Sequence, residues 1–532
     1  MIKRILCLVL CLALLPVCAM GESVTDSLIV GMISTRTMEL TPLTPKERDI
    51  MSLYALVYES LVTVDDNGIP QPLLAESWTE TGDGKTWTFT LRENLAFSDG
   101  GALTAHDVAA SGQYLLDLAN NPEAEDNGFY ANIKYIVSSF SARDDRTLEV
   151  KAKRPFYGLL YSLTFPVVPK DQVGMPNPIG SGPYVIDAFE PAGFMMLSAN
   201  QGWWQTPPSV SSISVTFFTN TKEMINAYEY GRVDTVFTRS VAAAQYRSGN
   251  TSLSIKYSTR QLEVLLLNHR SSSFPLDSLN VRKAIRYAIN EELISQTVYM
   301  GMTLDADTTY AADNWLYYDQ ESTYVYNPDK ARELLAADGW EDLDGNRILN
   351  KVVDGEMKNL RLSLYVYEDP ENDVRYETAN MISDMLYEVG IDAHVETISF
   401  QGVPYIDENG EEKKPIDAQD VLKNGNFDMF LCAFQMDVVP DYGFMLTSGN
   451  THNFIRYSST PMNDLIKDLR EREDQAGFAY ASQAIQQQFT EDVPFIALFY
   501  RAGAILTRKM FTTVRSIREF ELLRGIEAFG RQ

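Results

Sequence analysis

The stretch of sequence that decides the fold runs from Tyr58 to Ser111 and reads YESLVTVDDNGIPQPLLAESWTETGDGKTWTFTLRENLAFSDGGALTAHDVAAS. Within it, residues 85–92 alternate threonines with large apolar side chains, which is the two-residue period of a strand with one buried face. Residues 76–79 precede this strand across a short loop that contains two glycines, as is typical of a β-hairpin. The stretch therefore predicts an antiparallel sheet.

A helix is predicted directly after this sheet. The four residues 98–101 read Ser-Asp-Gly-Gly, a composition that favours a turn. Thr104 can then cap the first turn of a helix that contains Asp107 and Val108. On pattern alone, the stretch is an antiparallel layer with a helix behind it.

The rest of the chain alternates strands and helices. Residues 213–236 read as strand, helix and strand in that order, which predicts an α/β unit. Residues 262–268 predict an apolar strand, and residues 280–298 carry apolar side chains at helical spacing and predict one long helix. We therefore predict an α/β fold class.

The motifs of residues 58–111 resemble the signature block of the extracellular solute-binding proteins of family 5, the peptide- and nickel-binding receptors of ABC importers. The matching motifs are Y-E-x-L-V, L-A-E-S-W, D-G-K-T-W-T-F-x-L-R, F-S-D-G and L-T-A-x-D-V. The resemblance continues at residues 180–184, which read G-S-G-P-Y, and at residues 281–285, which read V-R-x-A-I. It extends over nearly the whole mature chain.

The resemblance implies a two-lobed, periplasmic-binding-protein-like fold of class II with an additional small inserted domain. Size agrees with several domains, because the 532 residues exceed the length of ~250–300 residues at which single cores stop growing. The division that the resemblance implies is lobe I from residues 22–47, 176–262 and 490–532, a small inserted domain from residues 48–175, and lobe II from residues 263–489.

Composition limits the partners. The formal net charge of -27 argues against nucleic acid, because phosphate binding requires clustered lysine and arginine. Apolar residues make up 45% of the chain and aromatic residues 11%, which is enough for well-filled cores. Surface acidity can serve solubility alone, so the charge does not identify a ligand.

The N-terminus has the features of a secretory leader. Lys3 and Arg4 precede an apolar run over residues 5–15, and small residues at positions 19 and 21 predict cleavage after Gly21. The apolar run is shorter than a membrane-spanning helix requires. We therefore predict export to the periplasm or the outer face of the cytoplasmic membrane.

Cysteine usage bears on anchoring and on disulfides. Residues 15–18 resemble a lipoprotein box, but Pro16 and Val17 depart from the small residues that are normal there, which disfavours a lipid anchor at Cys18. With the leader removed, Cys432 stands alone, so no intramolecular disulfide is expected.

The resemblance also points to a ligand site. Relatives carry D-Y-x-D-P where residues 437–442 read D-V-V-P-D-Y, and the altered spacing leaves Asp437 and Asp441 as alternatives for the carboxylate that binds a peptide α-ammonium. A buried ammonium requires such a partner because an unpaired buried charge is costly. The other candidate ligand-binding residues are Phe434, Met436, Tyr442 and Asn268.

Motifs for catalysis and metal binding have little support. The four histidines show no H-E-x-x-H pattern or other local ligand spacing, and no G-x-S-x-G elbow occurs. Residues 84–86 imitate the end of a phosphate-binding loop, but Thr79 stands where its first glycine belongs. We predict no catalytic residue, no metal and no cofactor.

We therefore predict a substrate-binding protein of an ABC importer, monomeric, which captures oligopeptides or dipeptides by hinge closure and delivers them to a permease in the cytoplasmic membrane. Two alternatives remain open. In the first alternative, the protein binds a nickel chelate or an oligosaccharide in place of a peptide. In the second, the chain is a secreted hydrolase on the same scaffold. Turnover of a peptide library would be needed to support the hydrolase.

Overall fold

The computed structural model describes residues 27–34, 39–124, 129–249, 252–270, 274–319, 324–368, 373–400, 402, 404–406, 412–508 and 517–528. The predicted leader and Cys18 lie outside these ranges. None of the helices in these ranges combines the length and the apolar character that a membrane span requires.

Within these ranges the strands are, in chain order, β1 (Ser27–Ile33), β2 (Val62–Val64), β3 (Pro70–Pro72), β4 (Ala75–Glu80), β5 (Thr86–Leu91), β6 (Val137–Ala142), β7 (Thr147–Ala152), β8 (Tyr184–Glu190), β9 (Phe194–Ala199), β10 (Ser212–Phe218), β11 (Thr235–Thr238), β12 (Leu253–Leu267), β13 (Thr303–Asp305), β14 (Asn350–Val353), β15 (Glu356–Asn359), β16 (Arg361–Glu368), β17 (Asp392–Ser399), β18 (Tyr405–Ile406), β19 (Glu412–Lys413), β20 (Met429–Gln435) and β21 (Phe495–Thr507).

The α-helices are, in the same order, α1 (Met51–Val57), α2 (Ala105–Asn120), α3 (Ile133–Ile136), α4 (Thr221–Glu229), α5 (Leu279–Ala288), α6 (Glu291–Thr297), α7 (Pro328–Ala337), α8 (Val374–Glu388), α9 (Ala418–Asn424), α10 (Gly443–Leu446), α11 (Thr460–Leu469) and α12 (Gln475–Asp492). Short 3₁₀ helices span Tyr157–Leu163, Val241–Gln245 and Ile526–Ala528. The architecture is mixed α/β, which confirms the predicted class.

One large mixed sheet dominates the described residues. Its strand order is β17-β16-β20-β12-β21-β11-β1-β10-β9-β8, and β13 adds to β21. β20 pairs with residues 261–267 of β12, whereas β11 pairs with residues 504–507 of β21. The two long strands β12 and β21 therefore pass between two halves of the sheet, one on either side of them.

The pairing of β12 with β21 is interrupted where the halves meet. Residues 253–258 pair with residues 502–507, and pairing resumes only from Leu262 opposite Tyr500. A β-bulge of this kind bends a strand and disrupts its ladder. Thr259, Arg260 and Gln261 thus form the irregular crossing point.

β21 is buried along its full length. Complete burial of both faces is expected for a central strand that is covered by other layers on each side. One apolar cluster fills the half of the sheet that carries β16 and β20, and includes Leu265, Ile285 and Leu362. A second and larger cluster contains Val30 of β1 and Phe430 of β20, so it extends across both halves of the sheet.

A separate sheet of order β4-β5-β7-β6 contains the hairpin that the sequence predicts. Trp87, Phe89 and Leu91 are buried on one face of β5, and Trp78 lies opposite Phe89 across the hairpin. This confirms the predicted alternation. The sheet lies within the range assigned to the small inserted domain, whose boundaries stay a prediction.

Helix α2 begins where the sequence places its cap. The backbone N–H of Thr104 donates to the Asp107 carboxylate at 2.8 Å, which is one arm of a capping box. This arrangement satisfies amide groups that a helix N-terminus otherwise leaves unpaired.

The single long helix predicted over residues 280–298 is wrong. The structure divides it into α5 and α6 at Ile289 and Asn290. The side-chain oxygen of Asn290 accepts a hydrogen bond from the Leu293 N–H at 2.9 Å and thereby starts a second helix. Apolar spacing continues across the break, but the first helix ends at Ile289, whose backbone is extended, and the Asn290 cap begins the second.

Candidate functional site

A cavity of about 960 Å³ opens where the two halves of the large sheet meet. Thr259 and Arg260 of the β12 bulge and Tyr500 of β21 contribute to its wall. Its volume is at the upper end of the ~300–1,000 Å³ typical of small-molecule sites. The remaining walls come from parts of residues 51–73, 311–315, 436–442 and 517–527, with isolated residues between them.

Asp437 lies at this cavity, two residues after β20 ends. Its side chain is half-buried, accepts a hydrogen bond from the Val439 N–H at 3.2 Å, and receives another from the Asn132 side-chain amide. Burial raises the pKa of the carboxyl group, while these hydrogen bonds and the Arg260 guanidinium partly oppose the shift. A cationic ligand group that binds Asp437 would therefore pair with a carboxylate that is already largely dehydrated.

Asp441 is placed differently. Its carboxylate binds the Arg470 guanidinium at two points, with N–O distances of 2.5 and 3.1 Å, and accepts from the Gly443 N–H at 3.0 Å. Asp441 does not belong to the cavity wall. The fold thus separates the two aspartates that the sequence left as alternatives, with Asp437 at the cavity and Asp441 in an ion pair.

Of the four remaining candidate ligand-binding residues, two line the cavity and two do not. Met436 and Tyr442 contribute to the cavity wall. Phe434 instead stacks on Phe454, with ring centroids 6.4 Å apart. Asn268 is buried at the end of β12, where its side-chain amide donates to the carbonyls of residues 425 and 427 at 3.0 and 2.6 Å. Neither Phe434 nor Asn268 belongs to the cavity wall.

Carboxylates outnumber cations among the described residues of the cavity wall. Eight carboxylates face four guanidinium groups there. Several of these charges are already neutralised, as in the pairs of Glu521 with Arg518 and Asp66 with Arg524. The surplus of negative charge favours a ligand that carries an ammonium or another cation. The acids are Glu59, Asp65, Asp66, Asp313, Asp437, Glu519, Glu521 and Glu527, and the bases are Arg92, Arg260, Arg518 and Arg524.

Comparison with known proteins assigns the family. The family model described as bacterial extracellular solute-binding proteins, family 5, matches residues 70–454. The chain belongs to this family. Its members are solute-binding receptors and not enzymes, and the family 5 assignment confirms the resemblance found in the sequence.

The relatives of this family 5 protein bind different solutes. It is 22% identical over 498 residues to the oligopeptide-binding protein AppA of Bacillus subtilis, a match that covers 89% of this chain and 86% of the relative. It is 26% identical over 327 residues to the nickel-binding periplasmic protein of Escherichia coli K12. That second match covers 59% of this chain and 61% of the relative, so it spans less than two thirds of that protein.

Solved structures confirm the fold. The nickel ABC transporter structure from Bacillus halodurans superimposes with a TM-score of 0.75 at 20% sequence identity. The superposition covers 93% of this chain and 98% of that structure. The family 5 protein therefore has the two-lobed fold that the resemblance implied.

One buried acid at the cavity was not singled out by sequence reasoning. The Glu59 carboxylate accepts hydrogen bonds from the indole N–H groups of Trp203 and Trp204 at 3.1 and 2.8 Å, and from the Ser181 hydroxyl at 3.0 Å. Burial raises the pKa of Glu59 to about 7, and the two indoles are the largest opposing influence. The available signal was a single acid within the otherwise uncharged and largely apolar run A-L-V-Y-E-S-L-V-T-V of residues 55–64.

The raised pKa of Glu59 predicts a pH-dependent stability. Below the ordinary value of 4.5 the carboxyl is protonated in folded and unfolded chains alike, whereas between 4.5 and about 7 the unfolded chain releases its proton first. The folded state therefore loses stability as pH rises through this window, by about 3 kcal/mol in total. Denaturant unfolding of the wild type and Glu59→Gln from pH 4 to 8 measures this loss. A constant difference between the two proteins would contradict the prediction.

Proposed function

We propose that this family 5 protein is the extracytoplasmic substrate-binding protein of an ABC importer, and that it captures peptides and delivers them to a membrane permease. The observation that carries the proposal is the half-buried carboxylate of Asp437 on the wall of a cavity between two halves of the sheet. A peptide brings to this cavity a free α-ammonium, which can form a charge-assisted hydrogen bond with a carboxylate.

Asp437 is the better of the two aspartates for this role. Asp441 is already neutralised by Arg470, and its side chain is only 11% exposed. The hydrogen-bond partners of Asp437 are an amide and a backbone N–H, which carry no charge, and the Arg260 guanidinium acts on it without a direct ion pair of the kind that Asp441 has. We therefore assign ammonium binding to Asp437, with Met436 and Tyr442 beside it. Asp441 instead fixes the loop that follows β20.

The crossing strands support capture by closure. Two half-sheets are joined through β12 and β21, and the ladder between these strands is interrupted at residues 259–261. A few residues at the ends of paired segments are typical hinge positions. A ligand that contacts both lobes binds the closed state more tightly and so shifts the population toward it. The permease would recognise that state.

Export and the monomeric state also belong to this proposal. The family description calls its members extracellular, and the leader predicted over residues 1–21 would direct such export. A receptor that presents one closed cavity to a permease needs no second copy. Lipidation at Cys18 stays the less favoured form of attachment.

A nickel chelate is the second candidate ligand, because the nickel-binding relative shares 26% identity with this chain. A thermal unfolding screen separates the candidates. The purified protein is heated with a mixture of di- to pentapeptides, with a nickel–histidine chelate, and with an oligosaccharide. A ligand at about 100 times its dissociation constant stabilises the folded state by ~2.7 kcal/mol. We expect stabilisation by peptides alone; stabilisation by the chelate alone would reject the peptide proposal.

A further inference from the structure

Two buried aromatic residues at the start of a 3₁₀ helix pack against helix α12. The ring centroids of Phe156 and Tyr157 lie 5.8 and 5.6 Å from that of Phe478. The backbone N–H of Tyr157 also donates to the Arg472 carbonyl at 2.6 Å. All four residues lie outside the cavity wall. The contact therefore joins two distant parts of the chain without touching a ligand in the cavity.

The same 3₁₀ helix, Tyr157–Leu163, reaches the cavity wall through Tyr161. The Tyr161 hydroxyl donates to the Gly68 carbonyl at 2.9 Å and accepts the indole N–H of Trp315 at 2.9 Å. A Cβ atom on Gly68 would lie 3.1 Å from the Trp315 ring, and the Gly68 φ of +85° is one that glycine adopts without strain. The indole is thus held between Tyr161 and a glycine that leaves room for it.

Trp315 and Phe478 are held by one helix. The buried side chain of Gln486 in α12 donates to the Leu316 carbonyl at 2.7 Å and accepts the Tyr318 N–H at 3.0 Å. These hydrogen bonds fasten the loop that carries Trp315 to the helix that carries Phe478. The two side chains therefore move together with α12.

The segment that carries Tyr161 is joined to the half of the sheet that contains β8. The Val167 N–H, close after the 3₁₀ helix, donates to the Glu59 carbonyl at 2.9 Å. The Gly182 N–H, two residues before β8, donates to the Val57 carbonyl at 2.8 Å. In the strand order, β8 and the pair β16 and β20 lie on opposite sides of β12 and β21. The ring contacts with α12 therefore face across the cleft between the two halves.

We propose that these contacts form a closing seam, which packs when the lobes close and separates when they open. The seam consists of Phe156, Tyr157 and Tyr161 on one side and of Trp315, Arg472 and Phe478 on the other. A contact that stabilises the closed state raises the affinity for every ligand by the same factor, because each ligand binds that state. This inference rests on the proposed peptide-binding function and deepens it by naming what regulates closure at the same site.

Calorimetric titration of Phe478→Leu tests the seam. Leucine keeps the position apolar but removes both ring contacts, each of which stabilises the closed state beyond the area that it buries. We expect the affinity for tri-alanine and for Ala-Phe-Lys to fall by about 5- to 30-fold, and by the same factor for both peptides within about twofold. Trp315→Phe removes one hydrogen bond of the seam and should weaken both peptides by about 2- to 10-fold.

A distance measurement reports closure directly. Spin labels attached in the double variant Tyr135→Cys and Tyr480→Cys lie on either side of the seam, at positions that are 60% and 69% exposed, while the native Cys432 is buried. Adding Phe478→Leu should increase the population with the longer distance, and tri-alanine should reduce that population. Equal distance distributions with and without Phe478→Leu, whether or not tri-alanine is present, would refute the seam.

Phe489→Leu is the matched control. It makes the same substitution on the same helix, at a ring that packs against Phe495 of β21 with centroids 4.9 Å apart. It should lower the free energy of unfolding but leave both peptide affinities within about twofold. Equal losses of affinity in the two leucine variants, or a loss for only one of the two peptides in Phe478→Leu, would refute the seam while peptide binding stands. If neither peptide binds the wild type, the proposed function fails, and the distance measurement still decides whether the seam opens.

Discussion

Replacing Asp437 with asparagine should weaken peptide binding by about 100-fold or more. The substitution removes the charge that faces a ligand ammonium but keeps the shape of the side chain and an oxygen that can accept from the Val439 N–H. Its new NH2 group cannot accept from Asn132, whose amide must turn to present its oxygen instead. Removing one partner of a buried, hydrogen-bonded charge pair costs roughly 2–5 kcal/mol, and each 1.4 kcal/mol is a factor of ten in affinity. Isothermal titration with a peptide that the wild type binds measures the loss.

Asp441→Asn is the matched control. It removes the same charge four residues away, where the carboxylate holds Arg470 and faces no ligand. We expect it to lower the free energy of unfolding by about 1–3 kcal/mol, because Arg470 loses its partner, and to leave peptide affinity within about twofold. An unchanged affinity in Asp437→Asn, or a large loss in Asp441→Asn instead, would contradict the assignment.

Glu263→Gln should lower the free energy of unfolding by about 3–5 kcal/mol. Glu263 lies in β12, and its carboxylate binds the Arg375 guanidinium of α8 with N–O distances of 2.8 and 2.9 Å. The two side chains are 1% and 3% exposed, so the substitution leaves a buried guanidinium without a counterion. Chemical denaturation followed by circular dichroism measures the change.

Two further variants separate the contribution of the ion pair to stability from the contribution of burying the two side chains. Glu263→Gln combined with Arg375→Met replaces the buried charges with neutral side chains and should recover much of the lost stability. Glu333→Gln removes the exposed partner of Lys330 on α7 and should change stability by less than about 0.5 kcal/mol. A loss below about 1 kcal/mol in Glu263→Gln would show that this ion pair does not stabilise the lobe.

Local patterns in the sequence predicted the elements that depend on neighbouring residues. The alternation in β5 and the cap at Thr104 are both found in the structure, because strand period and helix capping are set within a few residues. The apolar strand predicted over residues 262–268 is the second half of a strand that begins at Leu253. Its first half carries Lys256 and Ser258, and its pairing with the distant β21 gives no local signal.

In the candidate site, too, the features that depend on distant residues could not be predicted from the sequence. The sequence placed two aspartates near the ligand but could not choose between them, because Arg470 reaches Asp441 from 29 positions away. Glu59 was missed because Trp203 and Trp204, which donate hydrogen bonds to it, are 144 and 145 positions away in the chain. Charges that meet only in the folded chain carry no pattern that a single sequence reveals.

We propose that this family 5 protein binds peptides through their free α-ammonium in the cavity beside Asp437. The most direct measurement is isothermal titration of the purified protein with a short peptide and with the same peptide acetylated at its N-terminus. We predict saturable binding of the free peptide and a loss of at least about 100-fold on acetylation, since the amide carries no charge for the carboxylate. Equal affinity for the two forms would contradict the account.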